Sequence, residues 1–297
     1  MSPGMTKVLS RDRVEARFGA LGDEARIVVL GGAPRVDERA RHLLEVLDRK
    51  WSRFRSGSEV SRLNDTRGRV VVVSPETYGL VARAVGAWRV TGGRFDPSVP
   101  ATAMGATAGV PSPGCARVEL DATHRSVKVP AGVHLDVSGI ARGFATDLAV
   151  ADLVQGGAGG VLVSIGPDVR VAGTPPRPEG WFVDLDDPLQ PGSLGRLRLR
   201  EGAVCTCSAR VPAASGGRDS VGSRRLVDPA TGAPAATGIA AVTVVAGEAW
   251  WAQAIAKAAF IAGPDAGLRL MAEHGVTGLV VLDTGDIREA PGLDAFC

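Results

Sequence analysis

The chain is short of lysine, of cysteine and of uncompensated charge. Among 34 basic residues only Lys7, Lys50, Lys128 and Lys257 are lysines, so a lysine at a special position would stand out. Cys115, Cys205, Cys207 and Cys297, spread over 297 residues, are too few and too scattered for the disulfide framework of a secreted scaffold. A formal net charge of +2 gives no general electrostatic pull toward nucleic acid. The most apolar late stretch, 238–262, is interrupted by Glu248, Gln253 and Lys257 and is too polar to span a bilayer. Residues 1–13 carry neither the apolar stretch of a secretory signal nor an early cysteine in a lipidation context. These absences lead us to expect a cytoplasmic location, with no nucleic-acid and no membrane partner.

What is present describes an ordinary globular protein, 45% apolar and 22% charged, long enough to bury a large core without staples. Val14, Ala16 and Phe18 alternate with polar neighbours, and Ala25, Ile27 and Val29 do so again beyond Gly22-Asp23, which predicts a hairpin. Val36, Ala40, Leu44, Leu47, Trp51 and Phe54 keep helical spacing and predict one long helix fraying at Gly57. Ser74-Pro75 reads as the cap and first-turn proline of a second helix that Gly92-Gly93 ends. Residues 104–114 have no periodicity and predict a long loop. Ser138 is expected to cap a helix that Gly156-Gly157 stops, and two further helices are expected over 250–261 and 265–274. Strands are expected at 70–73, 118–120, 127–129, 161–165, 169–172, 181–185, 197–199, 204–207, 241–245 and 278–282. Strands in hairpin-length succession with few helices between them predict an α+β fold rather than a doubly wound parallel sheet. The ordered domain is expected over 14–285 as two associated halves, with tails at 1–13 and 286–297.

Several short motifs carry little. Gly156-Gly157-Ala158-Gly159-Gly160 follows a helix and precedes a strand, the reverse of the order that aims a helix N-terminus at a diphosphate. Cys205 and Cys207 share a strand face but lack a second pair or a nearby histidine to complete a metal site. More informative is a set of blocks in order: Trp51-Ser52-Arg53-Phe54, Gly93-Arg94-Phe95-Asp96-Pro97, Leu135-Asp136-Val137-Ser138-Gly139-Ile140-Ala141-Arg142-Gly143, Val163-Ser164-Ile165-Gly166-Pro167-Asp168, Asp228-Pro229-Ala230-Thr231-Gly232, and Ala252-Gln253-Ala254-Ile255-Ala256-Lys257. Alone, Asp96-Pro97 and 228–232 read as turns, and Asp136-Val137-Ser138 as a helix cap. Together, over roughly 14–282, they resemble the signature of the ApbE family, the FAD:protein FMN transferases.

That resemblance implies an α+β, T-fold-related architecture of antiparallel sheets with flanking helices. It also implies FAD in a cleft, Mg²⁺, and transfer of FMN onto a threonine or serine hydroxyl of an acceptor flavoprotein with release of AMP. By the resemblance, Phe54 stands where the family has a flavin-contacting aromatic, and Arg94, Phe95, Asp96 and Asp136 where it holds FAD. Leu21, Arg142, Arg225 and Asp228 also fall at FAD-side positions, and Gly139 where a backbone carbonyl ligates the metal. The departures gather where the chemistry belongs. The family's metal-ligating aspartate and threonine on the last helix are here Gln253 and Lys257, and an ammonium cannot ligate a cation. One expectation is that Lys257, with Arg142 and Arg225, supplies the positive charge that Mg²⁺ supplies elsewhere. The alternative is a catalytically degenerate FAD-binding or interaction protein of the same fold. No residue stands out as a general base. The position of Lys257 relative to Gly139 and Asp136 separates a cleft lysine from a surface one.

Overall fold

In the computed structural model, which describes residues 6–10, 13–32, 35–100, 109–208 and 226–297, β1 (Thr6–Ser10) pairs with β2 (Arg13–Ala20), which returns as β3 (Asp23–Leu30). Leu21 and Gly22 make the two-residue turn with φ of 49° and 80°, the type I′ geometry whose twist matches that of the flanking strands. Strand β3 pairs with β9 (Gly160–Ile165), and the sheet continues through β10 (Asp168–Gly173), β13 (Gly202–Ser208), β14 (Ile239–Ala246), β15 (Thr277–Leu282) and β16 (Ile287–Glu289). All neighbours in this nine-stranded sheet are antiparallel. The α+β expectation therefore holds, and the hairpin falls where the alternation placed it.

Period-two alternation divides the sheet's side chains between two layers. Ala25, Ile27, Val29, Val161, Val163 and Ile165 face the helices, whereas Val28, Leu162, Val171, Val204 and Val245 face the opposite side. That second face is covered by the hairpin of β11 (Trp181–Asp186) and β12 (Ser193–Leu199), with Trp181, Val183, Leu197 and Leu199 buried against it. Burial on both faces is why the central strands read as continuous apolar runs.

The helical layer comprises α1 (Val36–Trp51), α2 (Glu59–Asp65), α3 (Pro75–Val90), α4 (Ser138–Gln155), α5 (Ala249–Ala262) and α6 (Pro264–Glu273). Between α2 and α4, β4 (Val70–Val72), β6 (Glu119–Asp121) and β7 (Ser126–Lys128) form a small sheet, and β5 (Ser98–Pro100) pairs with β8 (Val133–Leu135). Helix α5 is buried almost all round. It approaches α4 to backbone contact at Gly143, where a Cβ would lie 2.6 Å from the Ala249 carbonyl oxygen.

Several expectations are corrected. The first long helix ends at Trp51, not Phe54, because Ser52 turns extended and Ser58 caps the separate helix α2, accepting from the Ser61 N–H at 2.9 Å. Trp51 still packs inward, stacked on Phe144 at 5.9 Å. Ser138 does not cap α4; it is the first helical residue, and its N–H donates to Asp136 Oδ1 at 3.0 Å. The expected tails carry structure: 6–10 and 287–289 add edge strands, and Leu293, in a final 3-10 turn (Leu293–Phe296), is buried under the sheet. Of the predicted loop, 104–108 lies outside the described residues, and 109–114 is tied to the 228–232 turn through Gly109 N–H to Gly232 O and Ser112 N–H to Pro229 O.

The first free amides of α5 are satisfied from α4, where the Asp147 carboxylate accepts the Ala249 and Trp250 N–H groups at 2.9 Å each. Burial pushes this carboxyl up to about 6, against the opposing pull of the two amides and of Arg170. A carboxyl raised above its unfolded value binds its proton more tightly when folded, so its ionisation opposes folding. Its contribution to stability is therefore expected to fall by on the order of 2–3 kcal/mol between about pH 4 and pH 6. Denaturant unfolding across that range should show a shallower slope for Asp147→Asn; an unchanged slope would remove Asp147 as its source.

Candidate functional site

Two hairpin turns abut at one end of the sheet and place two acids together. The β9–β10 turn, Gly166-Pro167, has positive φ (55°) only at its first residue, as a type II′ turn requires, and the Gly166 N–H donates to Glu24 O at 2.9 Å. A Cβ on Gly166 would lie 2.3 Å from Asp23 Oδ2, so glycine is needed for the approach as well as for φ. Asp23 follows one turn and Asp168 the other. Arg142, in the second turn of α4, joins them, its Nε donating to Asp168 Oδ2 at 2.8 Å and its Nη1 to Asp23 Oδ2 at 3.1 Å. Asp168 is 1% exposed and accepts a second bond from Gln253 Nε2 at 3.0 Å.

Gln253 and Lys257 lie one turn apart on α5, and each engages the backbone of α4. Gln253 Oε1 accepts the Gly143 N–H at 3.0 Å, and Lys257 Nζ donates to the Gly139 carbonyl. Gly139 O and Gly143 N–H are i and i+4 groups, the pair that an α-helix ordinarily joins to each other. Burial lowers the pKa of the Lys257 ammonium, with Cys207 and Asp168 raising it and Arg142 lowering it further. Burial likewise pushes the Cys207 thiol up to about 11, so it is protonated at neutral pH. One turn toward the N-terminus, Asp136 caps α4 with Oδ1 and pairs through Oδ2 with Arg53 Nη1 at 2.7 Å. The Arg53 guanidinium lies 4.8 Å from the ring centre of Phe54, which is 81% exposed. Three cations thus gather at the start of α4: Arg53 on Asp136 just before the helix, Lys257 on the Gly139 carbonyl, and Arg142 from the second turn of the helix itself.

Asp136, Gly139, Arg142, Gln253 and Lys257 are therefore brought together, with Phe54 at the rim. Lys257 reaches Gly139, so it is not a surface lysine. Phe95 is buried beneath Gly139, where a Cβ would lie 2.9 Å from its ring. Arg94 is exposed and donates to Thr91 O at 3.2 Å. Asp96, its pKa raised by burial, accepts the Ser98 N–H and Oγ–H at 2.8 and 2.6 Å. Leu21 is half-buried in the turn beside Asp23. Asp228 organises its own turn, accepting the Ala230 N–H at 2.9 Å. Arg225 lies outside the described residues. Three residues of the cluster were not singled out from the sequence: Asp23, Asp168 and Arg53. The first two share a signal, an acid placed directly after a two-residue turn.

The residues present do not fit Mg²⁺, a hard ion that takes oxygen donors in near-octahedral geometry. The Gly139 carbonyl holds an ammonium, the Gln253 oxygen holds an amide N–H, and the adjacent Asp168 carboxylate holds Arg142 and Gln253. Among the described residues no group of three or more His, Cys, Asp or Glu is placed to hold a metal ion. No helix among them is long and apolar enough to cross a membrane.

Asp168 is the hub of this network, and removing it strands a guanidinium and an amide. Asp168→Ala is expected to cost about 3–5 kcal/mol, the range for breaking a buried ion pair, whereas Asp23→Ala, whose partner contact is partly solvated, should cost about 1 kcal/mol or less. Urea unfolding of the two variants checks the order; equal losses would refute it.

The sequence profile of the ApbE family matches residues 21–280. A Treponema pallidum protein named FAD:protein FMN transferase is 28% identical, over 98% of this chain and 89% of its own length. The crystal structure of an ApbE protein from Thermotoga maritima superposes with a TM-score of 0.84 at 30% identity, covering 96% of this chain and 99% of that one. The flavin transferase ApbE of Vibrio cholerae shares the fold, with a TM-score of 0.78 at 19% identity over 99% of this chain and 100% of that one. With the profile spanning most of its length and the architecture shared, the chain belongs to the ApbE family.

Proposed function

We propose that this protein is an FAD:protein FMN transferase, which binds FAD at the N-terminal end of α4 and moves its FMN moiety onto a threonine or serine hydroxyl of an acceptor flavoprotein. The observation that carries this reading is the group of three cations at the start of α4, with an exposed aromatic ring beside it. The diphosphate of FAD is a double anion, and a helix N-terminus flanked by arginine and lysine is suited to hold it. Phe54, held under the Arg53 guanidinium, offers a flat apolar face of the kind on which a ring system stacks. The acceptor oxygen forms a bond to the FMN phosphorus, the bond from that phosphorus to the bridging oxygen breaks, AMP leaves with that oxygen, and the hydroxyl proton is released to solvent. Phosphoryl transfer of this kind asks for positioning and for charge on the phosphoryl oxygens more than for covalent help from the protein.

The test is to mix the protein with FAD and a threonine-bearing acceptor domain, then follow AMP release and the acceptor's intact mass. AMP together with an FMN-sized mass gain supports the proposal. FAD bound and returned intact in every condition would leave a binding module of the same fold. Because Phe54 is almost fully exposed, Phe54→Ala is expected to leave the unfolding midpoint unchanged while weakening FAD binding by about 1–3 kcal/mol, the range for stacking on an aromatic side chain. Fluorescence titration of FAD measures it; an unaltered affinity would take Phe54 out of the flavin site.

A further inference from the structure

We infer that Lys257 is a resident cation in place of a divalent metal ion, so that this protein binds FAD and transfers FMN without Mg²⁺. The inference rests on the transferase reading above and concerns how its site is charged. Its first support is geometric. The carbonyl that the family resemblance gives to the metal, that of Gly139, here accepts from Lys257 Nζ, and the one side-chain oxygen of Gln253, neutral and already engaged by the Gly143 N–H, offers an ion no carboxylate. A second cation brought to the Gly139 oxygen would meet the ammonium already there.

The second support is charge balance. Against the aspartate and threonine that the family resemblance implies at these positions, Gln253 carries one negative charge fewer and Lys257 one positive charge more. The two changes raise the charge of the protein by the amount a bound Mg²⁺ would have contributed, one turn apart on the same helix. The net field presented to a diphosphate is thereby kept while the ion is dispensed with.

The choice of residue is the third support. In a chain whose 34 basic residues include only four lysines, this position holds the compact ammonium rather than the planar guanidinium. An ammonium acts as a point charge with donors directed tetrahedrally, so one N–H can hold the Gly139 carbonyl while the others remain for phosphoryl oxygens. Gln253 locks the frame around it, since its two amide atoms are bonded to Gly143 N–H and Asp168.

The experiment measures FAD affinity and FMN transfer by the wild-type protein in excess EDTA and in millimolar Mg²⁺, and repeats both for Lys257→Met and for Gln253→Asp/Lys257→Thr. For the wild type, affinity should differ by less than about threefold between the two conditions, well short of the tenfold that marks a real coupling. Lys257→Met, which keeps the length of the side chain and loses the charge, should bind FAD at least roughly tenfold more weakly. The double variant should bind weakly in EDTA and regain roughly tenfold or more in Mg²⁺. Wild-type affinity or transfer that collapses in EDTA and returns with Mg²⁺ overturns the inference, and this arm needs no variant to fold. A folded Lys257→Met variant with unchanged affinity also overturns it. If FAD binds independently of Mg²⁺ and depends on Lys257, yet no FMN is transferred, the inference on the cation stands for binding and the transferase reading falls. If FAD is not bound in either condition, both fall.

Discussion

The approach of α5 to α4 at Gly143 is the contact on which the site depends. With no side chain at Gly143, the Ala249 carbonyl comes within a distance that a Cβ would forbid. The buried face of α5 is built largely of alanines, Ala252, Ala254, Ala256, Ala258 and Ala259, which lets the helix pack closely against its neighbours. At that separation the side chains of Gln253 and Lys257 are long enough to reach the backbone of α4. A helix pair spaced by leucines would hold the same side chains too far away to bond Gly139 and Gly143.

Close packing alone would leave polar groups stranded in an apolar layer. Asp168 is almost fully buried, and a carboxylate there is tolerable because Arg142 and Gln253 both donate to it. The network is continuous, running from the turns at Asp23 and Asp168 through Arg142 to Gln253 and the α4 backbone. Lys257 separately bonds the α4 backbone at Gly139, and Asp136 pairs with Arg53 just before the helix. This satisfies groups that burial would penalise and fixes the rotamers of residues that face the ligand side. The same economy joins the two helices at Asp147, whose carboxylate serves as a cap for a helix distant in sequence.

On the proposed reading, the metal ligands that the family resemblance implies and the residues of this chain answer one electrostatic problem in two ways. A divalent ion held by an aspartate and a neutral glutamine beside a lysine present comparable net charge to an anionic ligand. They differ in what must be assembled, because an ion has to be captured from solution and an ammonium is carried by the chain. The lysine also bonds the helix backbone, so its ammonium is part of the joint between α4 and α5.

Local sequence determined a good deal of this. The alternation on either side of Gly22-Asp23 set the hairpin and its strand faces, one residue from the turn that forms at Leu21-Gly22. Ser74-Pro75 announced α3, and the order of the blocks identified the family. Those features depend on neighbours within a few residues. The burial of Phe95 beneath Gly139 depends on a partner far along the chain, and periodicity does not carry it. Asp23 reads from sequence only as a hairpin residue and Asp168 only as the end of a motif, because their importance arises when two hairpins separated by more than a hundred residues abut and share Arg142. Set against the family resemblance, residue identity at 253 and 257 implied the loss of a carboxylate. Only the tertiary structure decided what replaced it, since whether an ammonium faces solvent or a backbone carbonyl is set by how closely two helices are allowed to pack.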